Sequence, residues 1–203
     1  MEKQKAVQPE HPRAIGFFCE AGALKNLPRS GWRLAGIKNA ESTADHSFRA
    51  AVIAYVLAKM EGASPERACA LAVFHDIPEA RTGELDKIMA SYHDKCTAET
   101  KAVKESEASA ILGGRWYSDI IGEIEARQTL ESKVANDADL LECVLTAIEY
   151  AQSGYQKAMD WAVAKDKFFL TRSAGKLYEE ALKSDSSGWW KKLWQKQGLL
   201  KRK

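Results

Sequence analysis

The chain is short of sulfur, of histidine and of long apolar runs, and each shortage narrows what it can be. Four cysteines occur among 203 residues. Cys19, Cys69, Cys96 and Cys143 show no C-x-x-C spacing, which argues against a cysteine zinc knuckle or dithiol redox motif and leaves reduced, mostly buried thiols. No run of about 18 apolar residues is present, and the opening MEKQKAVQPEHPR lacks the basic and then apolar pattern of a secretion signal. A cytoplasmic protein with no transmembrane segment is the expectation. Runs of alternating β-branched residues are missing too, so the fold class is read as all-α. Acidic residues are absent from positions 186–203, which hold six Lys or Arg. The formal net charge is only +2, so the remainder is net acidic and is not expected to bind nucleic acid.

What is there is an ordinary globular composition, 45% hydrophobic, enough for one well-cored domain. Apolar periodicity predicts helices near 14–25, 44–61, 65–76, 97–112, 115–126, 130–152 and 172–183. Ser64-Pro65 starts one of them, since serine caps free amides and proline suits the first helical position. Residues 78–96 read as a partly irregular loop over a site. The chain divides into a tail (1–13), one domain (14–185) and a basic, Trp-rich tail (186–203). In the last, Trp190, Leu193, Trp194 and Gln197 are at helical spacing among Lys191, Lys192 and Lys196. The expectation there is a terminal helix packed on its own domain or on a dimer partner, ahead of contact with a membrane or nucleic acid.

Histidine is rare, so its placement carries information. Ala68, Leu71, Ala72 and His75 fall at i, i+3, i+4 and i+7, which turns His75 inward as either a hydrogen-bonded core residue or a ligand. His46 stands in the first turn of a strongly apolar helix, and Asp137 and Asp139 lie near the start of another. Two imidazoles with carboxylates form a mixed N/O set suited to Mn, Fe, Co, Ni or Zn. Helical projection puts Asp137 on the stripe of Leu141, Val144 and Ile148. Asp139 projects to the opposite side, with Ala135, Cys143 and Thr146.

The segments LKNLPRSGWRLAGIKNAESTADHSFRAAVIA, ALAVFHDIPEARTGEL and DADLLECVLTAIEY together resemble the HD-domain metal phosphohydrolases, specifically the 5′-deoxynucleotidase subfamily. The resemblance runs from about Leu24 to Tyr150 and weakly on to Leu182. It implies an HD-domain helical bundle with a metal site in its core and hydrolysis of 2′-deoxynucleoside 5′-monophosphates. One divalent transition metal (Co, Mn, Fe, Ni or Zn) would be held by His46, His75, Asp76 and Asp139. The family's D-L-L-E pattern selects Asp139 and makes Asp137 a supporting or capping group. The same resemblance gives Glu79 and Asp76 roles in proton transfer, and Arg29 and Trp32 roles against the 5′-phosphate and the sugar. Thr82-Gly83-Glu84 stands where the family has T-G-D, so Glu84 takes the place of a nucleotide-binding aspartate. A homodimer is implied by the family alone. His93 is the only histidine between the H-D pair and the last aspartate, too few for a dinuclear site, and it reads as a loop or pocket residue. His11 reads as part of a mobile tail. A nucleotide-sensing module without turnover, or a hydrolase of a related phosphate ester, are the competing functions.

Overall fold

The computed structural model describes residues 10–164 and 168–200. Among them are eleven α-helices: α1 (Glu10–Gly22), α2 (Thr43–Glu61), α3 (Pro65–Phe74), α4 (Glu79–Thr82), α5 (Lys87–Ala90), α6 (Lys95–Glu105), α7 (Trp116–Ala126), α8 (Leu130–Gln152), α9 (Met159–Val163), α10 (Arg172–Ala181) and α11 (Gly188–Lys196). The fold is an all-helical bundle, as composition and periodicity require.

Helices α2, α3 and α8 form the centre. Small residues let them approach closely: Ala54, Ala58, Ala68, Ala138 and Ala147 are fully buried between them, with Leu57, Leu71 and Val144 filling the space. Ser42 and Asp45 satisfy the amides at the start of α2 reciprocally, and the Ser64 side chain caps α3. A second, smaller apolar cluster joins Phe17 of α1 to Ile77, Val103, Tyr117 and Ile121. Phe74, the last residue of α3, packs against both clusters and stacks on Phe17 with centroids 6.4 Å apart. The chain leaves α3 at the seam between the two.

The segment before α2 is drawn to the same seam. Arg29 N donates to Glu41 O at 3.0 Å and Thr43 N to Leu27 O at 2.8 Å, so Pro28 and Ser42 form a short antiparallel bridge. Residues Ser30–Ala35 then coil as a 3-10 turn.

Three sequence expectations are corrected. The first helix starts at Glu10, not near 14, because Pro12 lies in the first turn, where its missing N–H costs nothing; His11 is therefore helical and exposed. The helix read over 97–112 is two elements. Ser106 turns the backbone extended and its hydroxyl caps a new 3-10 turn, Glu107–Ala110. The loop over 78–96 contains the single-turn helices α4 and α5.

Candidate metal and substrate site

Each polar group at the seam is delivered by a helix end or an inner helix face. His46 is in the first turn of α2 and wholly buried. His75 caps the C-terminus of α3, and Asp76 follows it, also buried. Asp139 comes from the first half of α8. Four groups predicted from sequence thus share one space. His46 Nε2 is 3.0 Å from Asp139 Oδ1 and 3.7 Å from Asp76 Oδ2. His75 Nε2 is 3.1 Å from Asp76 Oδ2 and 4.0 Å from Asp139 Oδ1.

The hydrogen bonds behind the rings decide which nitrogen faces inward. His75 Nδ1 is 2.7 Å from the carbonyl of Ala72. A carbonyl only accepts, so Nδ1 carries the proton and Nε2 is left for the site. His46 Nδ1 is 2.5 Å from Glu142 Oε2, which fixes that ring in the same sense. Glu142 is itself buried. Its other oxygen accepts from Arg49 Nε and Nη2 at 3.0 and 2.8 Å and from Thr146 Oγ1 at 2.9 Å.

Among the described residues, both Nε2 atoms and Asp76 Oδ2 are buried without an aligned hydrogen bond, although a buried polar atom ordinarily finds one. Two imidazole nitrogens and a carboxylate oxygen, orphaned and mutually within reach, are the donor set a divalent transition metal takes. The residues fit the metal that the sequence implied. Glu41, His46 and Glu142 also lie close together, but Arg49 already supplies the positive charge there, and that group is a support behind His46.

Electrostatics follow from the crowding. Burial and Arg29 would lower His46, but the carboxylates of Asp139 and Glu142 outweigh them and the ring is pushed up to about 10. Burial acts to raise Asp76, yet His75 and Arg29 prevail and hold it well below the carboxylate range. Against its own partial burial, Asp139 is held low by His46, His75 and Arg29. Glu79 behaves oppositely. It is buried in the first turn of α4, and burial together with Asp76 pushes it up to about 7 in spite of Lys95. Lys95 Nζ pairs with Glu79 Oε1 at 2.9 Å while Oε2 has no hydrogen-bond partner among the described residues.

Arg29 lies among the acids, with Nη1 3.5 Å from Asp76 and 3.6 Å from Glu84, and Nη2 4.0 Å from Asp139. Glu84 accepts from Ser30 N at 2.5 Å, reached because Gly83 adopts φ +78°, a left-handed angle that glycine takes without strain. Trp32 is buried, donating to Glu41 Oε1 at 3.1 Å and packing edge-on against Tyr150. Asp137 is engaged elsewhere: it accepts from Leu170 N, Thr171 N and Thr171 Oγ1, tying α8 to the start of α10. His93 is exposed.

Sequence reasoning passed over Glu142, Arg49 and Lys95. Glu142 had a signal, since Asp139, Glu142 and Thr146 fall at i, i+3 and i+7 of one helix face. Lys95 had none, because the turn that aims it at Glu79 is set by tertiary packing.

A family profile described as HD domain matches residues 21–182. A 5′-deoxynucleotidase of Dictyostelium discoideum is 29% identical over 184 residues, 84% of this chain and 93% of the relative. One from Bos taurus is 32% identical, over 67% of each chain. Among solved structures, a conserved hypothetical protein from Pyrococcus furiosus superposes with a TM-score of 0.71 at 30% identity, covering 84% of this chain and 99% of its own. With two histidines and two aspartates gathered at the seam of its bundle, the chain belongs to the HD-domain family of phosphohydrolases.

Proposed function

We propose that the protein hydrolyses 2′-deoxynucleoside 5′-monophosphates to deoxynucleoside and phosphate, with His46, His75, Asp76 and Asp139 holding one divalent transition metal. The convergence of three orphaned donor atoms beside Arg29 carries the reading, and the names of the relatives supply the substrate class. The cation would supply Lewis-acid charge, acidifying water and neutralising phosphate oxygens.

The chain's own groups divide the remaining work. Arg29 presents a planar pair of donors, and the phosphate of a substrate would replace part of its present carboxylate company. In the reaction the P–O5′ bond breaks, a water oxygen joins phosphorus, and the departing O5′ needs a proton. Asp76, held ionised, cannot donate one but can take the proton that the attacking water gives up. Glu79, pushed up to about 7, holds a proton near neutrality and gives it to O5′. Lys95 steadies the charge that Glu79 then bears. Glu84 accepts from Ser30 N and pairs with Arg29, in the place where the family likeness has a nucleotide-binding aspartate. Trp32 walls the sugar position, where a flat ring can exclude a 2′-hydroxyl by size. A homodimer working in the cytoplasm belongs to the same proposal and rests on family likeness.

The test is phosphate release from paired deoxy- and ribonucleoside 5′-monophosphates, using chelator-stripped protein with single divalent metals restored. Release confined to the deoxy series and dependent on metal is expected. Protein that binds nucleotide but releases no phosphate with any metal would instead be a nucleotide sensor.

A further inference from the structure

The last described helix is not used by the site. None of the residues of α11 is buried: Trp189 is 71% exposed, Leu193 49% and Trp194 46%, and Leu199 beyond it is exposed too. At about 100° per residue, Trp190, Leu193 and Trp194 fall on one face with Trp189 at its edge, Lys191 and Lys192 lie away from that face, and Lys196, seven residues after Trp189, borders it. Trp190 and Trp194 meet edge to face at 4.8 Å, so the aromatic face is ordered as a surface. This corrects the expectation that the helix packs on its own domain.

We infer that α11 docks the protein on an anionic lipid surface. Nine residues are far short of the roughly 20 needed to cross a bilayer, but an amphipathic helix with Trp and Leu on one face and Lys behind and beside it lies in the interface plane. Charge selects the occupant. Residues 186–203 carry six basic side chains and no acid; Lys191 is paired with Asp185, while Lys192 and Lys196 make no ion pair among the described residues. Positive charge with no acid of its own is what the occupant of this stretch must balance. An anionic headgroup layer complements it, and each basic residue near such a layer strengthens binding roughly fivefold.

The experiment is flotation of the full chain with phosphatidylcholine vesicles, with and without phosphatidylserine, at low and high salt, together with tryptophan emission. Binding only to vesicles containing phosphatidylserine, with a blue-shifted emission and reversal by salt, is expected. The pair Lys192→Gln and Lys196→Gln should weaken it on the order of twentyfold. Trp189→Ser with Leu193→Ser and Trp194→Ser should abolish it, leaving phosphate release in solution unchanged. No flotation at low salt, flotation unchanged in the triple variant, or tighter binding to single-stranded RNA than to vesicles would each overturn the inference. So would a molar mass halved by the triple variant, since the face would then be a subunit contact.

Discussion

Glu142→Gln tests the logic of the metal site without touching a proposed ligand. Glu142 offers one oxygen to His46 Nδ1 at 2.5 Å and the other to Arg49 and Thr146. Arg49 only donates, so the glutamine must keep its carbonyl oxygen on Arg49 and turn its NH2 towards His46. Two donors then face each other unless Nδ1 gives up its proton. The neutral ring would carry that proton on Nε2, the nitrogen that should meet the cation. Losing such a partner behind a ligating histidine typically costs about 10–100-fold in metal affinity, or roughly 1.4–2.7 kcal/mol. Co2+ titration against a competing chelator reads the affinity, and ring 15N shifts of His46 read the tautomer. Circular dichroism of the metal-free variant confirms that it is folded. A folded variant that binds Co2+ within about twofold of the wild type, against that expected range, would refute the reasoning.

Three further outcomes follow from the same geometry. With Glu79 pushed up to about 7 and acting as the proton donor, kcat should fall as pH rises through that region. A cation beside Asp76 would move the limb lower by cancelling the charge that helps raise Glu79, and Glu79→Gln should cut the rate about 10²–10⁴-fold and erase the limb. Asp139→Asn should lose cation binding, read as cation stoichiometry. Asp137→Asn should instead cost about 1–3 kcal/mol by thermal or urea unfolding with cation stoichiometry intact. Trp32→Phe keeps the ring wall but strands Glu41, so a raised ratio of ribo- to deoxynucleotide turnover would have to appear in a variant still folded by circular dichroism; an unchanged ratio would remove Trp32 from sugar selection.

The helical class and the inward turn of His75 were legible because periodicity is a local property of each helix. The choice between Asp137 and Asp139 was not legible from periodicity and came only from the family's D-L-L-E pattern. Projection favoured Asp137 because it shares the apolar stripe, and that stripe does face packed chain: Asp137 is buried against the 170–171 turn. Asp139 lies on the other side of α8, a side buried too because α8 runs through the middle of the bundle. A helix buried all round gives projection no outside to reckon from. Lys95 and Arg49 were illegible for another reason. A long cationic side chain on a polar face looks solvated until tertiary structure brings a buried carboxylate within 3 Å of it.

The seam marked by Phe74 separates the parts of this device by their resistance to unfolding. His46 and Asp139 belong to the α2–α8 layer, whereas Glu79 and Lys95 ride on α4 and α6, beside the smaller apolar cluster. The smaller cluster buries less and should open first under mild denaturant. Such a half-open molecule would keep the proposed ligands His46 and Asp139 in place while losing the proposed proton donor, so bound metal would be a poor measure of competence. Hydrogen exchange at α6 would be the better one.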